Sequence, residues 1–286
     1  MTAKILDGKN YAKTRLNEIK AVFTDNGKTE IQPELAIIVT SDDPASAVYV
    51  RNKVRMATEV GINAQVYHIP DGSLTKVVGM IDVLNRSKFV NGIIVQLPLH
   101  DDLVSHKQYI LDKIDPKKDV DGLSSASIAG LETGEDVFVP CTPSGIVHML
   151  MNHHIGLSEK HVVIVGRSNL VGLPLAKLCL SYDATVTVCH SLTQNLAEIT
   201  RQADILISAT GQPKLITADM VKPNAVVVDV GISRDKNGRL CGDVDFESVK
   251  EVASWITPVP GGVGPVTVMT LMKHVFIAYH EQHLQK

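Results

Sequence analysis

The stretch VVIVGRSNLVG, residues 162–172, decides how the chain is read. Its unbroken run of branched apolar residues predicts a strand buried on both faces, as in a parallel sheet. Gly166, Ser168 and Gly172 follow at once, and LPLAKLCLSY then predicts a helix. Small residues in a strand-to-helix turn let backbone N–H groups and a helix N-terminus approach a phosphate. The spacing G-x-S-x-x-x-G is one residue longer than the usual G-x-G-x-x-G, and taken alone it also suits a tight turn with no ligand. Its place between an apolar strand and a helix favours the dinucleotide reading.

Further strands are predicted downstream in ATVTVCHS, ADILISATG and NAVVVDVGIS, with a helical segment between the first two. The strand after the turn helix ends in VCHS, with no Asp or Glu where NAD enzymes place a carboxylate on the ribose hydroxyls. A 2'-phosphate is repelled by a carboxylate and attracted by an arginine. Arg167 in the turn and Ser191 at that strand end therefore point to NADP.

Upstream, the first 120 residues alternate the two periods. YAKTRLNEIKAVFTDNG predicts a helix ending at Gly27, PELAIIVT a strand, and SAVYVRNKVRMATEVG a helix to Gly61. NAQVYHIP, LTKVVGMIDVLNRS and VNGIIVQLPL then predict strand, helix and buried strand. Such alternation implies a second parallel α/β unit. The following DPKKDVDGLSSASIAGLETGEDVFVPCTPSG is rich in loop residues, and TPSGIVHMLMNHH opens a helix with Pro143 near its first turn. TPVPGGVGPVT reads as a Pro/Gly loop feeding a long terminal helix.

The composition, 44% hydrophobic and 21% charged with a net charge of -3, is that of a soluble globular protein. There is no basic excess for nucleic acid, and no apolar run approaches the roughly 20 residues that span a bilayer. The opening MTAKILDGKNYAK lacks an apolar core. Cys141, Cys179, Cys189 and Cys241 are far apart and suit a reducing compartment, so a cytoplasmic protein is expected. Eleven histidines include no H-E-x-x-H, and no metal is expected.

SAVYVRNK, residues 46–53, carries Ser46, Tyr49 and Lys53 on one helical face. Y-x-x-x-K is also the signature of short-chain dehydrogenases, but there the Gly-rich turn precedes it. Here Tyr49 and Lys53 come more than a hundred residues before Gly166, so they belong to the first unit. Gln96 in VQLPL falls at the end of a buried strand, where open α/β sheets place ligands. KDVDG puts Asp119 and Asp121 in the loop leaving that unit. Taken singly, Gln96 as a strand cap, Asp121 in an Asx-turn with Gly122 and the Pro/Gly loop as a rigid linker remain open readings.

With SAVYVRNK, VQLPL, KDVDG, GRSNLVG and PVPGGVGPVT in this order, the chain resembles the bifunctional methylenetetrahydrofolate dehydrogenase/cyclohydrolase family. The resemblance implies a two-domain α/β fold, an N-terminal catalytic domain plus a Rossmann-type NAD(P)-binding domain with a cleft between them. It places the folate-binding domain at 1–139, completed by the terminal helix 267–286, and the NADP domain at 140–266. It implies NADP-dependent oxidation of 5,10-methylenetetrahydrofolate, hydrolysis to 10-formyltetrahydrofolate, and a homodimer. Residue by residue it makes Lys53 the essential lysine, Tyr49 the ring beside the folate, Gln96 the partner of the lysine and Asp121 the pterin anchor. Pro260, Gly261 and Gly262 fall at the border of nicotinamide and folate, and Gly166, Arg167, Ser168, Ser191 and Ile232 at cofactor positions.

The chemistry suits these residue types. The dehydrogenase step needs chiefly alignment of the methylene carbon with the nicotinamide. Hydrolysis needs a proton moved, which suits a lysine whose pKa burial and a nearby cation lower. Gln96 can hold Lys53 without a negative charge, and Asp121 can accept two pterin N–H groups. A monofunctional dehydrogenase would need a disabled lysine site, and a nucleotide-sensing module would need none of Tyr49, Lys53, Gln96 or Asp121. Four positions depart from the family pattern: Ser127 and Ala129 replace its Asn and Gly after DVDG, Ser41 its Gly, and His100 its Pro. The first change bears on the conformation of the pterin loop.

Overall fold

The structure is a computed structural model, and it describes residues 2–25, 32–234 and 238–284. In chain order the first elements are β1 (Lys4–Ile5), α1 (Gly8–Asp25), β2 (Glu34–Val39), α2 (Pro44–Glu59), β3 (Asn63–His68), α3 (Leu74–Arg86) and β4 (Val90–Gln96). Then come α4 (Lys107–Leu111), preceded by a 3-10 turn, α5 (Ser125–Thr133) and α6 (Cys141–Asn152). The second half runs β5 (His161–Val165), α7 (Gly172–Ser181), β6 (Thr185–Cys189), α8 (Leu196–Thr200), β7 (Ile205–Ser208) and β8 (Val226–Asp229). A small hairpin, β9 (Ser233–Arg234) and β10 (Leu240–Cys241), leads to α9 (Phe246–Val249), β11 (Trp255–Ile256) and α10 (Val263–Leu284).

The chain divides into two compact units, one of residues 13–141 with 268–286 and one of residues 1–12 with 142–267. The sequence reading put residues 1–12 with the folate domain. They cluster with the other unit because β1 pairs in parallel with β11, Lys4 opposite Trp255 and Ile5 opposite Ile256.

The unit of residues 13–141 holds a parallel sheet in the order β3-β2-β4. All seven residues of β4 are buried, the apolar Ile93, Ile94 and Val95 together with the polar Asn91 and Gln96. α3 buries Val77, Ile81 and Leu84, a helical stripe, and starts where Ser73 Oγ accepts from Lys76 N. β2 lies between β3 and β4, so the chain changes direction at β2. Gln96 ends β4 opposite Val39 at that switch point, where such sheets bind ligands.

The other unit holds a six-stranded parallel sheet in the order β1-β11-β8-β7-β5-β6. β5 is flanked by β6 on one side and β7 on the other, which puts the switch point at the turn after β5. Val163, Val165, Leu206, Val227 and Ile256 form its apolar centre.

Several local expectations change. The predicted helix stop at Gly27 lies outside the described residues. The segment LSSASIAGLETG contains α5, capped by Ser124 Oγ accepting from Ser127 N and stopped by Gly134 at φ 79°. Its Ser/Gly content reads as loop, but Ser124 and Gly134 are its caps, and Ser127 and Gly130 are buried within it. Pro265 belongs to the first turn of α10 rather than to the preceding loop, a position where a missing N–H costs nothing.

Candidate active site

α2 is set by its first residues: Asp43 accepts from Ser46 N at 2.9 Å and Pro44 starts the helix. Ser41 Oγ accepts from Asp43 N at 3.2 Å, so serine in place of the family glycine supports that cap. The helix places Tyr49 and Lys53 one turn apart, Tyr49 being 39% exposed and Lys53 half-buried. Ser46, one turn earlier, is buried and its hydroxyl has no hydrogen-bond partner.

Lys53 Nζ donates to Gln96 Oε1 at 2.9 Å, and Gln96 Nε2 donates to Leu97 O at 2.6 Å. An ammonium only donates and a carbonyl only accepts, so this is the one amide orientation that satisfies both. Gln96 is buried, and its oxygen is thereby fixed towards the lysine.

The two carboxylates of KDVDG have different work. Asp119 is fully enclosed and accepts from the backbone N–H of Gly122, Leu123 and Ser124 at 3.1, 3.3 and 2.8 Å, and from Ser127 Oγ at 2.7 Å. The Asx-type turn with Gly122, left open for Asp121, is made by Asp119. Serine at position 127 keeps a donor to that carboxylate where the family has asparagine. Asp121 is half-buried, and desolvation pushes its carboxyl above the ordinary value. Lys53 opposes the rise, Asp119 adds to it, and the Cys141 thiol lowers it by a hydrogen bond. Lys53, Gln96, Asp121 and Tyr49 all lie in the unit of residues 13–141.

In the other unit Gly166 has φ 126°, and a Cβ there would meet Ala209 O at 2.4 Å. A Cβ on Gly172 would meet Gly166 O at 2.1 Å, so the turn closes on itself around bare backbone at the head of α7. That cradle fits a phosphate held by N–H groups. Ser168 Oγ accepts from Val171 N at 3.2 Å, while Arg167 and Ser191 are exposed. The turn after β6 is built by His190 N donating to Thr193 Oγ1 at 2.8 Å, with no carboxylate in it.

The Pro/Gly loop is equally crowded. Gly261 has φ 106°, and a Cβ on Gly262 would meet Pro258 O at 2.5 Å. Lys9 N donates to Gly261 O at 2.9 Å, tying the start of α1 to the loop. Ile232 is exposed, and Pro260 is exposed beside Gly261.

A buried carboxylate pair went unpredicted. Asp229 accepts from the N–H groups of Gly231, Asp243 and Val244 at 3.0, 2.9 and 2.9 Å. Asp243 accepts from Ser208 Oγ at 3.0 Å and Thr210 N at 2.6 Å through Oδ2, while its Oδ1 is buried without a partner. Desolvation first, then the charge of Asp243, raises Asp229 to about 6. The glycines beside them, Gly231 and Gly242, are the sequence signal: a Cβ on either would strike the partner carboxylate at 2.1 and 1.9 Å.

Among the described residues no group of three or more His, Cys, Asp or Glu could hold a metal ion, and no helix is long and apolar enough to cross a membrane.

The two units, each with a parallel sheet, and the Gly-rich turn after β5 define a two-domain α/β protein with a Rossmann-type second unit. Residues 6–121 match the catalytic domain, and residues 140–283 the NAD(P)-binding domain, of the tetrahydrofolate dehydrogenase/cyclohydrolase family. The chain belongs to that family. It is 47% identical over 284 residues to the bifunctional protein FolD of Nitrosospira multiformis, covering 99% of this chain and 98% of the relative. Its fold is similar to the bifunctional FolD methylenetetrahydrofolate dehydrogenase/cyclohydrolase of Campylobacter jejuni, with a TM-score of 0.94, 41% identity, and 98% and 99% of the two chains covered. It is also similar to the Trypanosoma brucei FolD complexed with NADP cofactor and inhibitor, with a TM-score of 0.92, 34% identity, and 100% of each chain covered.

Proposed function

We infer that this chain oxidises 5,10-methylenetetrahydrofolate to 5,10-methenyltetrahydrofolate with NADP, and hydrolyses that product to 10-formyltetrahydrofolate. The observation that carries the hydrolytic half is the hydrogen bond of 2.9 Å that fixes Lys53 on a neutral partner, Gln96. Folate chemistry is assigned to the unit bearing Lys53 and NADP to the unit bearing Gly166.

Asp121 anchors the pterin by accepting paired N–H groups, which requires its ionised form. Tyr49, exposed on the same face of α2 as Lys53, supplies the ring that orients the substrate. NADP supplies the hydride acceptor when bound. Gly166, Ser168 and the head of α7 hold its phosphates, Arg167 and Ser191 receive the 2'-phosphate, and Ile232 with Pro260, Gly261 and Gly262 lines the reacting end. In the second reaction water adds to the methenyl carbon, the bond from that carbon to N5 breaks, and one proton is released. Lys53 takes that proton and returns it to solvent.

The family resemblance also supports a homodimer, which sedimentation tests, and the free cysteines support a cytoplasmic location. The deciding experiment is an absorbance assay with methylenetetrahydrofolate and either NADP or NAD. Methenyl absorbance that rises and then decays, faster with NADP, is expected. A rise with no enzymatic decay would identify a monofunctional dehydrogenase.

A further inference from the structure

Under the loops of the cofactor unit lies a carboxylate that the proposed chemistry does not use. Asp243, on the segment after β10, is fully enclosed. Its main chain is held on both sides: its N–H donates to Asp229 Oδ1 at 2.9 Å, and its carbonyl accepts from Ile216 N at 2.9 Å. Its Oδ2 accepts from Ser208 Oγ at 3.0 Å and from Thr210 N at 2.6 Å. Ser208 is the last residue of β7, so the side chain reaches the segment that leaves that strand.

That segment borders the Gly-rich turn. Ala209 N donates to Val165 O at 2.8 Å, and a Cβ on Gly166 would meet Ala209 O at 2.4 Å. Gly211 O accepts from Ser233 Oγ at 2.9 Å, which ties the same segment to the residue after Ile232. Ala209 and Thr210 are half-buried and Gly211 is exposed, whereas the carboxylate holding them is out of reach of solvent. β6 and β7 flank β5 on opposite sides. With the 2'-phosphate at Ser191, after β6, a dinucleotide laid across the turn brings its nicotinamide half over the segment after β7 and towards Ile232, after β8.

Enclosing a carboxylate is costly, the more so here because Asp243 Oδ1 has no donor. What the group supplies through Oδ2 is a strong acceptor for a backbone N–H just past the end of a strand. We propose that Asp243 is a positioning residue for the nicotinamide half of the cofactor: by holding Ser208 Oγ and Thr210 N from the buried side, it sets where residues 208–211 stand against the Gly-rich turn. Asp229 supports it by accepting from the N–H groups of Asp243 and Val244, and the same carboxylate accepts from Gly231 N, next to Ile232. The adenosine half lies on the β6 side and does not depend on Asp243. This rests on the assignment of NADP to the unit bearing Gly166.

The test uses the full chain with Asp243→Ala, Asp243→Asn and Ser208→Ala. Two probes are titrated calorimetrically: NADP, and adenosine 2',5'-bisphosphate, which keeps the adenine and the 2'-phosphate but has no nicotinamide. In Asp243→Ala the Kd for NADP is expected to rise on the order of tenfold, while that for the bisphosphate stays unchanged. Asp243→Asn, with its amide oxygen in the place of Oδ2, should recover most of the loss. Ser208→Ala takes one donor from Asp243 and leaves Thr210 N in place, so it should show the same pattern at smaller size even if Asp243→Ala fails to fold. Hydrolysis of supplied methenyltetrahydrofolate, assigned to the other unit, should run at the parent rate in every folded variant. NADP affinity unmoved by Ser208→Ala, both probes weakened equally, or Asp243→Asn no better than Asp243→Ala overturns the proposal. Failure of the NADP assignment shows instead in the parent chain, which would then bind neither probe.

Discussion

Gln96 gives its amide oxygen to Lys53 Nζ at 2.9 Å while its nitrogen is committed to Leu97 O at 2.6 Å. The lysine is therefore held by a neutral acceptor whose orientation is locked within β4 and the residue after it. Lys53→Ala is expected to abolish methenyl hydrolysis and leave NADP binding intact. Gln96→Glu, which stabilises the charged lysine, should slow hydrolysis by about 100-fold or more. Methenyl decay followed by absorbance, with NADP affinity from fluorescence titration, reads both.

Asp121 binds its proton more tightly than an ordinary carboxylic acid, first because of desolvation. Folate affinity that depends on its ionised form should weaken as pH falls, starting above the ordinary carboxylate range. Since Lys53 holds the value down, Lys53→Met should move that loss to higher pH. Folate dissociation constants measured across pH for the parent and Lys53→Met check this, and identical profiles would remove the electrostatic link.

In the cofactor unit Asp229 sits at about 6, above its ordinary 3.8. A carboxyl whose folded value is raised contributes stability that is full below the unfolded value and lost as pH rises to the folded value. Thermal stability should therefore decline between about pH 4 and 6 from this group, by about 3 kcal/mol at 1.36 kcal/mol per pKa unit. Asp243→Asn removes the like charge and keeps an acceptor for Ser208 Oγ and Thr210 N. It should make that decline smaller while leaving the part due to burial, as melting curves at stepped pH will read.

Ser191 and Arg167 are exposed, in turns whose sequences, HSLTQN and GRSNLVG, contain no Asp or Glu. Ser191→Asp should raise the KM for NADP at least tenfold with little change for NAD, because a carboxylate repels the 2'-phosphate. A variant that kept the parent preference would remove Ser191 from the cofactor site.

Ser127 Oγ donates to the enclosed Asp119 at 2.7 Å. Ser127→Ala leaves that carboxylate one donor short and should cost about 1–3 kcal/mol by chemical denaturation. Ser127→Asn, the family residue, should cost less.

The parallel sheets were legible because central strands carry apolar runs, Leu35–Val39 in β2 and Val162–Val165 in β5, separated by helical patterns. Lys53 and Tyr49 were legible because helical spacing alone puts them on one face. The division of labour in KDVDG was not, since which carboxylate turns back on the loop depends on side-chain direction, not residue type. α5 hid behind its own serines and glycines. Ser208 and Asp243 are 35 positions apart, and no local pattern connects such residues.

The placement of β1 has a consequence for how the protein can be divided. A piece beginning near residue 140 would lose Lys4–Ile5 and leave Trp255–Ile256 as a bare sheet margin, a template for foreign strands. Inheritance of the nucleotide-binding half as an independent cassette is thereby discouraged: its border strand, Lys4–Ile5, comes before residue 13, ahead of the residues of the other unit.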